Sequence, residues 1–202
     1  MNWLYLTYFL TLFAGVLIPV YYKHYGAQNF LWLSDISLFL TLASLWTGSP
    51  LFISIAACGI LVMEIAWNVD FFLNFIFHKR SIRLADYMFD NRYSYFLRGL
   101  SLFHVLIPII WITYLNQFGY DPRAMYYFTA LYWAVVITTY CCTTPKENIN
   151  WVFLPQTMHL QCISPKLWVI ILMLGIPTFL ALPSHLVLSQ LFHSTKAVKI
   201  SG

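Results

Sequence analysis

The chain has 202 residues, of which 60% are hydrophobic and only 9% charged, with a formal net charge of +4. A soluble domain carries about a quarter of its residues as charges, so this chain cannot clothe a water-facing surface. The small positive balance sits at the ends of apolar runs and gives no nucleic-acid signature. At roughly 20 residues per crossing, about six transmembrane helices account for the length and leave nothing for a soluble domain.

The expected architecture is therefore all-α: a single polytopic membrane helix bundle. The first apolar run covers 2–22. It has no basic leader and no small-residue cleavage site, so it is expected to be a retained helix and not a signal peptide. A second helix is expected over 29–46, ending at the turn Thr47-Gly48-Ser49-Pro50, and a third over 50–77. The most charged stretch follows, from His78 to Arg98. Its Arg, Asp and Tyr content suggests a short interfacial segment at the headgroups, which holds anionic lipid or simply sets topology. The fourth helix, 93–117, contains His104 and Pro108, and a proline there predicts a kink upstream, near His104. A fifth helix is expected over 123–142 and a sixth over 166–188, joined by a polar connection long enough to carry function. No internal repeat relates the two halves, which counts against an inverted-repeat transporter.

Lysine and arginine counts orient the bundle. One side collects Lys23, Lys79, Arg80, Arg83, Arg92, Arg98, Lys146 and Lys166, and the other Arg123, Lys196 and Lys199. The first side is expected to be cytoplasmic, with both termini outside.

Polar residues inside the apolar runs carry the functional expectation. Glu64, Asn68, Asp70 and Asn74 all lie within the third helix. With Trp67 they fall within roughly 160° of arc, a face that should meet protein and not lipid. Ionisable groups in hydrocarbon are expensive and mark function by default. Asp35, Glu64, Asp70 and His104 lie between about 9 and 20 Å below the basic surface by helical rise, while His185 is near the opposite end. The simplest arrangement is a pocket open to the basic side, with Asn148, Asn150 and Trp151 in a lid.

Three functions fit such a pocket. The first is a membrane-embedded enzyme acting on a lipid or small amphiphile. His104 would be its general base, Glu64 and Asp70 its acid/base partners, and Asp35, Asn68, Asn148, Asn150 and Trp151 its substrate-binding groups. Glu64, Asp70 and His104 would alternatively hold a divalent metal, which offsets the cost of burying negative charge. The second is a proton-coupled carrier or receptor for a small solute, titrating through Asp35 and Glu64. The third is a non-catalytic subunit in which Asp35 or Glu64 bonds Asn68, Trp67 or Arg98 for packing alone. Membrane lipids are the expected partners, with no nucleic acid.

Known signatures narrow this list. GxSxG, HExxH and the diacidic prenyl-transferase motifs are absent, no lysine lies mid-helix, and His104 and His185 sit at depths too different to share a haem. The four cysteines (Cys58, Cys141, Cys142, Cys162) form neither CxxC nor a zinc spacing.

Several strings carry a resemblance: NFLWLSDI (29–36), ExxWxxDF (64–71), DYMFD (86–90), LSLFHxxxP (100–108), GYDxRA (119–124) and NINWVF (148–153). As a set they resemble a family of bacterial multipass inner-membrane proteins described only as membrane-associated. The resemblance covers most of 29–153. It implies the helical architecture and a bacterial inner-membrane location, and it brings no chemistry.

Overall fold

A computed structural model of the chain describes residues 2–78, 83–154 and 163–193, all helix, turn or loop with no strand among them. Eight α-helices lie within these residues: α1 Trp3–Tyr25, α2 Leu33–Thr47, α3 Pro50–Phe77, α4 Tyr95–Leu100, α5 Phe103–Phe118, α6 Ala124–Cys142, α7 Pro165–Ile176 and α8 Leu182–Leu191. Five stretches are long and apolar enough to cross a membrane: α1, α3, α4 with α5, α6, and α7 with α8. The shorter α2 is the sixth leg of an up-and-down bundle.

The centre of the bundle is α3, which packs against α2, α5, α6 and α8. Every residue from Ile53 to Leu61 is buried. A helix apolar all round belongs in the interior and not at the lipid boundary. Gly59 permits its closest contact, because a Cβ there would lie 1.9 Å from Phe128 Cε2 on α6. By contrast α1 and the α7–α8 leg leave wide apolar faces exposed, as lipid-facing helices must.

Two ends follow from this topology. At one, Trp3 Nε1 donates to Gln117 at 2.8 Å, Asp121 N to Ser54 Oγ at 3.0 Å, and Tyr120 N to the carbonyl of Phe192 at 2.9 Å. Tyr120 O–H and His185 Nδ1 also meet there at 2.9 Å, which gives that histidine a packing partner. The other end gathers the start of α2, the end of α3, residues 83–94, the start of α4 and residues 143–154. Its described cations are Lys23, Arg83, Arg92, Arg98, Lys146 and Lys166, against Arg123 at the opposite end. Lys79, Arg80, Cys162, Lys196 and Lys199 lie outside the described residues.

The observed helices differ from the expected ones in three places. The second helix begins at Leu33 and not near Asn29, because Ala27–Leu31 forms a 3-10 turn. The fourth is broken at Ser101–Leu102 into α4 and α5. The sixth passes through a π turn at Pro177–Ala181. Here the cause is plain. Pro177 has no N–H for the carbonyl of Met173, and Trp133 Nε1 supplies one instead at 2.8 Å. The interfacial segment between the third and fourth helices is a 3-10 turn, Asp86–Phe89.

Candidate functional site

His104 enters the bundle in the first turn of α5, just past the break, where i→i+3 bonds close the backbone: His104 N to Ser101 O at 3.2 Å and Val105 N to Leu102 O at 3.0 Å. Its Nδ1 meets Glu64 Oε2 of α3 at 2.7 Å, and the two side chains are 11% and 2% exposed. Both faces of the imidazole are covered. Trp67 lies 4.5 Å and Phe103 4.3 Å away between ring centroids, each at 23° to the imidazole plane. The backbone beneath is fixed as well. Pro108 cannot donate to the carbonyl of His104, and Asn68 Nδ2 donates to it at 2.7 Å and to the Glu64 carbonyl at 2.8 Å. Glu64, Trp67 and Asn68 of α3 therefore hold edge, ring face and backbone of one histidine. A carboxylate at Nδ1 makes that nitrogen the donor and leaves Nε2 to carry the lone pair in the neutral ring. Nε2 forms no hydrogen bond among the described residues.

A second polar group lies beside this pair. Asp35, in the first turn of α2, accepts from Asn29 Nδ2 at 2.9 Å and is close enough to Glu64 for their charges to interact. The helix N-terminus favours a carboxylate there. Tyr21 of α1 and Ser101 meet through their hydroxyls at 2.9 Å, and Tyr21 packs edge-on to Tyr25. Trp67 Nε1 is enclosed without an acceptor; the Tyr87 hydroxyl approaches it, but not in hydrogen-bond geometry.

Other expected site residues lie elsewhere. Asp70 accepts from the backbone of Ala85 at 2.9 Å and of Arg83 at 3.3 Å, so it fastens the 83–85 stretch to α3. Among the described residues no three His, Cys, Asp or Glu side chains gather as a metal-holding group. The expected ligand set of Glu64, Asp70 and His104 is thus divided, because Asp70 points to the loop backbone while the other two face each other. Of the expected lid residues, Asn150 turns inward and is buried, while Trp151 stays exposed. Asn150 Oδ1 accepts from Leu33 N at 3.1 Å and its Nδ2 donates to Leu31 O at 2.7 Å. Asn148 Oδ1 accepts from Phe153 N at 2.9 Å. The carbonyl of Trp151 takes the Trp168 indole N–H at 2.9 Å, and the Trp151 ring meets Trp32 edge-on. The Asn150 bonds plug the break before α2, which could not stand unsatisfied in hydrocarbon.

No known protein family, curated protein or solved structure matches the chain. The site must be read from its own geometry. Glu64, His104 and Asp35 were expected in one polar cluster with Asp70, from charge in apolar runs, with no pairing assigned among them. Phe103, Tyr21 and Asn29 were not, because an aromatic or an amide near a helix end carries no distinguishing pattern in so aromatic a chain.

A groove of about 560 Å³ runs along the lipid-facing side of α3 and α5. Asn68 is its one polar lining residue, among apolar neighbours that include Ile65, Phe72, Val105 and Pro108. Glu64 and His104 do not line it, but Asn68 and Val105, adjacent to His104, do.

Proposed function

We propose that this multi-pass membrane protein is an enzyme acting on a lipid or small amphiphile, with His104 as general base and Glu64 as the carboxylate that orients it. One observation carries the reading: a buried imidazole bonded to a carboxylate at 2.7 Å, held on both ring faces and through its own carbonyl. Such a pair fixes the tautomer, presents Nε2 as the base and stabilises the proton it accepts, a contribution of roughly 10²–10⁴-fold. The apolar groove against Asn68 and Val105 supports lateral entry of a hydrocarbon chain from the bilayer. The excess of cations at the site's end supports a cytoplasmic placement of that end, with both termini outside. A bacterial inner membrane is the setting that the sequence strings suggest.

The test is lipid mass spectrometry on proteoliposomes of bacterial lipids and a panel of added amphiphiles, wild type beside Glu64→Gln and His104→Gln. The expected result is a product formed by wild type and lost at least about a hundredfold in both variants. Identical lipid profiles for folded wild type and His104→Gln across the panel would overturn the reading. They would favour a second one, a structural polar network, which Asn68, Asp70 and Asn150 already support by bonding to backbone within the chain.

A further inference from the structure

Arg98 is a cation buried at the bilayer edge of the bundle with no anion bonded to it among the described residues. It is 9% exposed. Its Nη1 donates to the Met88 carbonyl at 2.9 Å, and its Nε is enclosed with no acceptor. Asp90, whose charge it feels, is bonded instead to Arg92 at 2.6 Å. Neither Asp86 nor Asp35 nor Glu64 forms an ion pair with it. The guanidinium carbon lies 4.5 Å from the centroid of the Tyr95 ring. Tyr95 itself is 85% exposed and the neighbouring Phe96 60%, so the guanidinium lies just beneath residues at the outer rim of the bundle. An enclosed guanidinium N–H without an acceptor is costly, and a phosphate is the group whose oxygens match the planar fork.

From this we infer that Arg98 holds the phosphate of a phospholipid headgroup, and that phospholipids are the substrate class of the Glu64–His104 site. The second half rests on the enzyme reading above; the first does not. Position supports the link. Arg98 in α4 and His104 in the first turn of α5 flank the break at Ser101–Leu102, so both lie at the same end of the bundle. Met88, which accepts from Arg98, packs with Trp67, and Trp67 stacks on His104.

Native mass spectrometry of the detergent-solubilised full chain tests the inference, with phosphatidylglycerol, diacylglycerol and inorganic phosphate as separate probes. Wild type and His104→Gln should both retain phosphatidylglycerol at least tenfold better than diacylglycerol. Arg98→Met should lose that preference. Arg98→Lys, which keeps the charge without the fork, should retain only part of it and guards against a misfolded Met variant, with lipid-free melting as a check of fold. Equal retention of phosphatidylglycerol and diacylglycerol, or an unchanged preference in folded Arg98→Met, overturns the proposal. Arginine-dependent binding of inorganic phosphate without phospholipid overturns the lipid assignment. A silent His104→Gln with intact phosphatidylglycerol binding separates the two readings, as does full activity in a variant that no longer binds the phosphate.

Discussion

The Asn68 carboxamide donates to the carbonyl of His104 at 2.7 Å, and that carbonyl is the one that Pro108 leaves without a helical N–H. The proline breaks the ladder of α5 where the imidazole must be placed, and a side chain of α3 repairs it. Trp133 does the same for the carbonyl of Met173 beneath Pro177. In hydrocarbon there is no water to take the role, so a carbonyl orphaned by a proline needs a donor from a neighbouring helix.

This relationship makes a coupled prediction. Asn68→Leu should lower stability by about 1–3 kcal/mol, the cost of a buried acceptor left unmet. Adding Pro108→Ala should recover most of that loss, because alanine at this position brings back the missing N–H. Thermal melting of the four proteins in detergent closes the cycle. Additive losses would show that the Asn68 bond contributes nothing and that its place in the groove wall matters instead.

The fold was legible in the sequence because hydrocarbon permits so few solutions: apolar length gave the spans, and buried charge gave Glu64, His104 and Asp35. The division of roles was not legible. Asp70 and Glu64 share one helix face within two turns of each other, yet one bonds a loop backbone and the other a histidine. Which of them His104 meets depends on the rotation of α5, and periodicity does not fix it. Asn150 reads as a lid residue by position and serves as the cap of a helix start 117 residues away. The loop that supplies it has three non-glycine residues at positive φ, Asn148, Asn150 and Trp151; asparagine tolerates that conformation and so hints at it, tryptophan does not.

Gly59 tests the central packing. A methyl group there would meet Phe128 Cε2 at 1.9 Å, and both residues are fully buried in the wall between α3 and α6. Gly59→Ala should destabilise by about 1–3 kcal/mol through overpacking, and Phe128→Leu in the same chain should relieve part of it. Were Gly59→Ala to melt like wild type, the close approach of these two helices would be wrong.

At the opposite end from the site, the Asp121 carboxylate is held below the ordinary carboxylate range, first by the Arg123 side chain, which donates to it at 2.8 and 3.1 Å, and by the Arg123 backbone N–H. A depressed folded-state value means that the folded chain takes up the proton less readily than the unfolded one. The contribution is therefore complete above the unfolded value of about 4 and is lost as pH falls through the lower folded value. The Arg123 side chain is 66% exposed, so solvent screens the pair and the effect is small. Asp121→Asn should melt slightly below wild type at pH 6, and the gap should close on acidification below about pH 4. A gap that widens with acid would reverse the sign of the assignment.

Asn150 joins the fold to the site most directly. Its amide closes the gap between Leu31 and Leu33, and Leu33 begins the helix turn that carries Asp35. The position also demands φ +51°, so two effects are mixed in any substitution. Asn150→Gly keeps the backbone conformation and loses both bonds, while Asn150→Ala loses the bonds and adds strain. Both should destabilise, by about 1–3 kcal/mol for the bonds, with Ala the worse of the two. Hydrogen exchange should locate the loss, with amides of Leu33 to Ser37 opening faster and those of α3 unchanged. Exchange rising evenly across the bundle would mean that Asn150 supports global packing and not the start of α2. In that case Asp35 would owe its position beside Glu64 to the Asn29 bond and the walls of the bundle.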